Sequence, residues 1–193
     1  MRARRSALAP ALSSDLWHRL AAYEVGPDAA ALTFAARLAR ENRWSDDHAA
    51  RVIHEYKRFC YLAVTAGHEV TPSDAVDQAW HLHLTYSRDY WQSFCPNVLR
   101  IDLHHGPTNG GKAERARYYD QYAATLLAYE AAFDEPPPDD IWPAAQKRFH
   151  SDPKGLRVNP EDVMILDRRV AILGAAGWTG LGVVIAVLVG VMF

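Results

Sequence analysis

The last 24 residues constrain this chain more than any other segment, because Val170–Phe193 contains no charged side chain. A helix rises about 1.5 Å per residue, so roughly 20 apolar residues cross a hydrocarbon core of about 30 Å. Inside lipid, a helix is the one form in which a single segment satisfies its own backbone hydrogen bonds. We therefore predict a transmembrane tail anchor at residues 169–193, with the lipid bilayer as a partner. A buried core helix is the alternative.

The residues around the apolar segment predict how the rest of the chain is arranged. Arg168 and Arg169 precede the span, and basic residues favour the cytoplasmic side of a membrane. We expect a single-pass protein whose N-terminal domain, residues 13–150, faces the cytoplasm. Residues 1–12 lack an apolar signal-peptide core and are predicted to be disordered, whereas the polar segment 151–168 is predicted to be a linker.

Small residues recur every four positions within the predicted span, at Gly182, Ala186 and Gly190. Small side chains at this spacing let two membrane helices approach closely and gain packing energy. The pattern predicts homo- or hetero-association through the tail. Simple anchoring is the alternative, because glycine and alanine are common in membrane helices.

Charge and cysteine content exclude some classes of function. The net charge is −2 and acidic and basic residues are interleaved, so the chain lacks the basic surface that nucleic-acid binding needs. Cys60 and Cys95 are too few for a domain built on disulfides, and a cytoplasmic domain would keep both reduced.

Hydrophobic periodicity over residues 13–150 predicts an all-α domain of about five helices. Capping residues and prolines mark the boundaries, and Pro96 and the Pro136–Pro138 run are expected to stop the fourth and fifth helices. Residues 98–111 contain glycine, proline and two histidines, which indicates a long loop. The predicted helices start near Ser14, Asp28, Ser45, Pro72 and Lys112.

Side chains on the fourth predicted helix separate into two groups when successive positions are set 100° apart. The motif residues expected to form its structural core are Trp80, His83, Tyr90 and Cys95. Asp77 and His81 lie four residues apart at one edge of the helix face formed by these core residues, where they can touch. His81 and His83 should therefore face different surroundings and not bind one ion together.

The histidines of the following loop extend the edge formed by Asp77 and His81. If the loop folds back, His104 and His105 add nitrogen ligands, and the four residues form a site for a divalent metal such as zinc. One alternative is structural: an Asp–His hydrogen bond pins the loop while His83 is a buried core histidine. Another is catalytic, with Cys95 a better candidate nucleophile than Cys60, which lies on an apolar face.

Five segments of the domain carry a resemblance to a known family. The segments are EYKRFCYLAV at 55–64, PSDAVDQAWHLHL at 72–84, the Tyr90 to Cys95 spacing, LHHGPT at 103–108 and AYEAAFDEPPPDDIWP at 128–143. Over roughly residues 45–145 the chain resembles bacterial members of the glycine-rich domain-containing protein-like family, also found in plants. The resemblance implies an uncharacterised domain without a defined activity. The chain departs from that family because no long glycine-rich region follows.

These observations predict a membrane-anchored cytoplasmic binding or scaffold module of unestablished biochemical activity. The Asp77, His81, His104 and His105 group would organise its centre, with a divalent metal as the expected cofactor. The alternative is a metal-dependent, hydrolase-like enzyme acting near the membrane surface, which needs an open coordination position.

Overall fold

A computed structural model describes residues 14–26, 30–106 and 108–151 of the protein. These residues form seven α-helices and one π-helix, and no strand occurs among them. The all-helical content agrees with the prediction, but the expected count of five helices was too low. The helices are α1 (Ser14–Ala22), α2 (Phe34–Asn42), α3 (Asp46–Thr65), α4 (Asp74–Thr85), α5 (Ser87–Asp89), the π-helix (Tyr90–Leu99), α6 (Lys112–Phe133) and α7 (Ala145–His150).

The predicted transmembrane fold class requires correction. No helix in the described part of the chain is both long and apolar enough to cross a membrane. Its two longest helices, α3 and α6, have 20 and 22 residues, and each carries several charged side chains. This finding contradicts the expected tail-anchored, single-pass topology and the localisation inferred from it, and neither is retained below.

Several sequence predictions concern segments outside the described residues. The expected disordered N-terminus at 1–12, the linker beyond Ser151 and the apolar segment 169–193 all lie there. The small residues proposed for helix association lie there as well. These are Gly182, Ala186 and Gly190.

Helix α3 is the central element of the described residues, and it contacts α1, α2, α4, α6 and the π-helix. Its apolar side chains recur three and four residues apart, so one broad face is buried. Tyr56, Phe59, Cys60 and Leu62 on that face are each at most 1% exposed. Burying a large apolar side chain contributes roughly 1.5–3 kcal/mol, so this face provides much of the drive for folding.

Side-chain caps define where three of the helices begin. Thr33, Ser45 and Ser73 each have extended backbone, and each hydroxyl accepts a hydrogen bond from the backbone N–H three residues later. These bonds satisfy donors that the first helical turn leaves unpaired. Ser45 and Ser73 confirm the predicted starts of α3 and α4. Helix α2 begins later than expected, and Asp28, its predicted cap, lies outside the described residues.

The predicted fourth helix is interrupted and then continues in a different form. Helix α4 ends at Thr85, because the next residue, Tyr86, has a non-helical ψ of 52°, and α5 leads directly into the π-helix. Pro96 lies inside the π-helix, so the expectation that it stops the helix was wrong. Proline lacks an N–H and crowds the carbonyl four residues earlier in an α-helix, whereas the wider π-turn bonds to the fifth residue.

The π-helix places a different set of side chains in the core than an α-helix would. Its buried residues lie four, five, eight and nine positions after Tyr90, the spacing expected when bonds run to the fifth residue. The helix ends at Arg100, where φ is 63° and the N–H donates to the Cys95 carbonyl at 2.7 Å. The buried set is Tyr90, Phe94, Cys95, Val98 and Leu99.

The segment after α6 is held by two buried hydrogen bonds, one to α3 and one to α6. The Trp142 indole donates to the Glu55 carboxylate at 2.9 Å, and both side chains are buried. The Tyr122 hydroxyl donates to the Pro143 carbonyl at 2.8 Å. A buried carboxylate is costly unless it is hydrogen-bonded, so Trp142 both anchors the segment and stabilises Glu55.

His83 lies in the core, as predicted, with both ring nitrogens bonded. Its Nε2 is 2.9 Å from Asp89 Oδ2, and its Nδ1 is 2.9 Å from the Tyr56 hydroxyl. An ionised carboxylate only accepts, so Nε2–H donates to Asp89 and Nδ1 accepts from Tyr56. The Tyr23 hydroxyl donates to the other Asp89 oxygen. Burial lowers the pKa of His83 to about 4, and the Asp89 contact opposes that shift only in part.

The depressed pKa of His83 predicts acid-sensitive folding. The unfolded chain takes up this proton near the ordinary pKa of about 6.5, whereas the folded protein resists it until about pH 4. The free energy of unfolding should therefore fall as the pH drops from about 6.5 towards 4, by up to about 3 kcal/mol from this group. Urea unfolding at pH 7 and pH 4 measures the difference, and His83→Gln should reduce it because glutamine does not titrate.

A matched histidine elsewhere controls for general acid effects. His68 is exposed, and its Nδ1 contacts only the neighbouring Glu69 carbonyl among the bonds that the structure describes. His68→Gln should leave the pH dependence of unfolding close to that of the unmodified protein. An unchanged pH dependence in His83→Gln would show that the buried network does not resist protonation.

Candidate metal centre

The loop after the π-helix is held by the hydroxyl of Tyr90. The Trp80 indole donates to this oxygen at 2.9 Å, and the hydroxyl in turn donates to the Leu103 carbonyl. Trp80 comes from α4, Tyr90 from the π-helix and Leu103 from the loop. The chain of bonds therefore links three consecutive pieces of the protein and fixes the loop close to α4.

The Cys95 thiol makes a second contact with the same loop residue. Burial raises the pKa of Cys95, and a hydrogen bond from the Leu103 backbone opposes this shift only in part. A thiol is nucleophilic as the thiolate, so a raised pKa disfavours the catalytic role considered for Cys95. Burial also raises the pKa of Cys60. Both cysteines are free and buried, and Cys95 acts as a contact that positions the loop.

The loop brings His105 onto the edge of α4 that carries Asp77 and His81. His105 Nε2 is 2.9 Å from Asp77 Oδ1 and 3.0 Å from His81 Nε2. His81 Nε2 is 3.7 Å from Asp77 Oδ2. The His105 ring also packs against the Trp80 indole, with ring centroids 4.6 Å apart. Three of the four predicted ligands are therefore together, and they are called the Asp77–His81–His105 cluster below.

Hydrogen bonds alone satisfy this cluster poorly. The Nε2 atom of His105 has one in-plane position, which holds either a hydrogen or a lone pair. It cannot form separate linear bonds to both Asp77 and His81, although both lie within 3.0 Å. A divalent cation would instead accept lone pairs from all three groups at once. The arrangement therefore suits a cation better than a shared proton.

The spacing of the donor atoms also suits a small cation. Zinc binds nitrogen and oxygen at about 2.0–2.2 Å, so two ligands at tetrahedral corners are roughly 3.3 Å apart. The observed separations of 2.9, 3.0 and 3.7 Å bracket this value. All three residues provide one ligand atom within 4.8 Å of the others.

His104, the fourth predicted ligand, lies elsewhere. Its ring packs against the exposed Trp91 side chain, with centroids 5.1 Å apart. Adjacent residues of an extended loop project in different directions, so one of the two histidines turns towards α4 and the other towards the π-helix. His83 likewise points into the core and not towards His81, as the helical map predicted.

The cluster borders a large open cleft of about 1090 Å³. Asp77 and His105 form part of its wall, and other lining residues come from α3, the α3–α4 connection, α4, the loop, α6 and α7. Sequence reasoning did not find this cleft, because its residues are far apart in the chain and no local motif connects them. The three side chains of the cluster are partly exposed, Asp77 by 24%, His81 by 49% and His105 by 23%.

Comparison with known proteins gives one match. Residues 31–121 match the model of a family described as UCP032817-like, an uncharacterised family, over slightly less than half of the chain. This is not a glycine-rich domain family, so the resemblance inferred from the sequence motifs was wrong: short shared segments did not identify the family. The matched region includes the whole Asp77–His81–His105 cluster. No curated protein and no solved structure matches the chain.

The Tyr90 hydroxyl is predicted to control the order of the loop. Tyr90→Phe removes the bond to the Leu103 carbonyl and leaves the buried Trp80 indole without its acceptor. We expect a loss of about 1–3 kcal/mol in the free energy of unfolding and several-fold faster amide exchange in residues 101–106. Chemical denaturation measures the first effect, and hydrogen–deuterium exchange mass spectrometry measures the second.

Tyr118→Phe provides the matched control, because Tyr118 also lines the cleft but its described partner is Arg117 of α6 and not the loop. This variant should exchange at the rate of the unmodified protein. Loop exchange that is unaffected by Tyr90→Phe would mean that other contacts hold His105 in place.

Proposed function

We propose that this domain is a metal-dependent binding module that holds a divalent cation, most simply zinc, through Asp77, His81 and His105. The observation that carries the proposal is the convergence of two imidazole nitrogens and a carboxylate within 4.8 Å. Two nitrogens and one oxygen are a ligand set that zinc and similar transition metals accept.

The position of the cluster supports binding more than a purely structural role. Structural zinc sites are closed by four protein ligands, whereas open sites use three and leave a position for water or another molecule. Here three partly exposed residues converge, and two of them, Asp77 and His105, form part of the wall of a cleft. A metal held there would present its remaining position to molecules that enter the cleft.

The proposal predicts one equivalent of bound zinc. Asp77→Ala, His81→Ala and His105→Ala should each weaken zinc binding at least tenfold in isothermal titration calorimetry, because each removes one of three ligands. Zinc at 100 times its dissociation constant should add about 2.7 kcal/mol to the free energy of unfolding. Protein dialysed against zinc, then analysed for metal content, gives the stoichiometry.

Two nearby histidines serve as controls that share the residue type but not the position. His104→Ala removes the predicted ligand that packs on Trp91, and His68→Ala removes a histidine elsewhere in the cleft wall. Both variants should bind zinc like the unmodified protein. Wild-type protein that fails to take up zinc, cobalt or nickel would overturn the proposal.

A metal-dependent hydrolase is the second candidate function. The observation that favours it is the three-ligand geometry, which leaves room for a metal-bound water beside the cleft. Such a water is deprotonated near neutral pH and becomes a nucleophile. Binding remains our first proposal because Glu69, the described glutamate in the cleft wall, is engaged by Arg117 and Gln121 and so is not free to act as a general base.

Model esters and phosphodiesters separate the two candidates. Zinc-loaded protein should hydrolyse p-nitrophenyl acetate or bis-p-nitrophenyl phosphate faster than Asp77→Ala at equal total zinc if the domain is an enzyme. Equal rates for these two proteins, together with zinc binding by the unmodified protein alone, would leave the binding module as the function.

A further inference from the structure

The floor of the cleft is apolar and is built by residues distant from the metal centre in sequence. Phe59 and Val64 come from α3, Val70 follows α3, and Leu103 comes from the loop. Phe59 is fully buried, while the other three pack against the core and remain partly exposed. These side chains give the cleft a surface from which an apolar molecule would displace water.

The charges around this floor favour an anion. The Arg115 guanidinium lines the cleft and donates to the neutral Phe149 carbonyl, and no described carboxylate lies within 4.0 Å of it. Glu69, an acidic residue that also lines the cleft, is paired with Arg117 at 3.3 Å and bonded to Gln121 at 2.6 Å. Among the described residues, the Arg115 guanidinium therefore has no acidic partner within ion-pair distance.

The cleft thus combines an apolar floor, a guanidinium without an acidic partner among the described residues, and two members of the Asp77–His81–His105 cluster. We propose that the cleft binds a small organic acid, whose acidic group reaches the metal while its apolar body lies on the floor. This inference rests on the proposed metal site and names the ligand class of that site.

Other ligand classes fit the cleft less well. A cationic molecule would be repelled by both the metal and Arg115. A polyhydroxyl compound would cover the apolar floor without gaining from it and would leave polar groups unpaired. The volume of about 1090 Å³ lies near the upper end for small-molecule sites, so it accommodates a medium-chain or aromatic acid with water around it.

Four eight-carbon probes that differ only in their head group test the ligand class. Octanoate, octyl phosphate, octanol and octylamine are titrated into the zinc-loaded protein below the concentrations at which they aggregate. We expect at least one of the two acids to bind ten or more times tighter than octanol, and octylamine to bind weakest. The ratio of the dissociation constants of octanoate and octyl phosphate shows which acidic group the cleft prefers.

Chain length tests the role of the floor separately from the charge. Butyrate carries the same carboxylate as octanoate but less apolar surface, so it should bind at least tenfold more weakly. Val64→Glu places a negative charge on the floor, so it should weaken binding of the preferred acid at least tenfold. Val64→Leu should not weaken this binding. Leu127→Glu is the matched control, because Leu127 is exposed on α6 and does not line the cleft.

Arg115 provides a second variant set that does not alter the floor. Arg115→Gln should weaken binding of the acid several-fold, and Arg115→Lys should restore most of it because the positive charge returns. Octanol binding should be the same in all three proteins. Equal loss in the glutamine and lysine variants would indicate that Arg115 only positions Phe149 through its carbonyl.

Zinc titration of every variant separates failure of this inference from failure of the metal site. Variants of the cleft residues that bind zinc normally but do not bind the acid support the proposal that the cleft is the acid-binding site. Zinc binding by the unmodified protein together with equal affinity for octanoate and octanol overturns the organic-acid proposal and leaves the metal site intact. Absence of zinc binding overturns the metal site itself, whatever the acids do.

Discussion

The candidate site depends on one hydroxyl group, that of Tyr90. Asp77 and His81 are fixed by α4 alone, but His105 lies on a loop of low regularity, and Tyr90 holds that loop by donating to the Leu103 carbonyl. The Trp80 indole donates to the same oxygen and also packs against the His105 ring. Because these bonds are buried, leaving any partner unsatisfied carries a larger penalty than the bond gains in isolation. The loop is therefore held in one arrangement.

Local features of the site were predictable because they follow from helical spacing and simple capping chemistry. Ser45 and Ser73 marked the starts of α3 and α4, since a serine before an amphipathic segment satisfies free N–H groups. The i, i+4 spacing placed Asp77 beside His81, and the same rotation sent His83 into the core. These inferences needed only one regular helix, whose geometry the local sequence determines.

Features that depend on irregular backbone or on distant residues were not predictable in this way. Pro96 is a strong stop signal in an α-helix, but here it lies in a π-helix that tertiary packing maintains. The sequence pair His104–His105 does not reveal which ring turns towards α4, because Leu103 sets that choice through bonds to Tyr90 and Cys95. The apolar segment 169–193 illustrates a further limit, since composition alone predicted a membrane span that the described helices do not support.

The two histidines of α4 differ in what they contribute: His83 contributes to folding, whereas His81 belongs to the proposed metal site. His83 has both nitrogens bonded inside the core, so its contribution belongs to folding. His81 is half-exposed and contacts only groups of the cluster among the described residues, so the fold does not require it. The loop that carries His105 is ordered by Tyr90 before any cation arrives. Because the loop is already held, binding of a cation would carry a small cost for ordering the protein, and its affinity would be correspondingly higher.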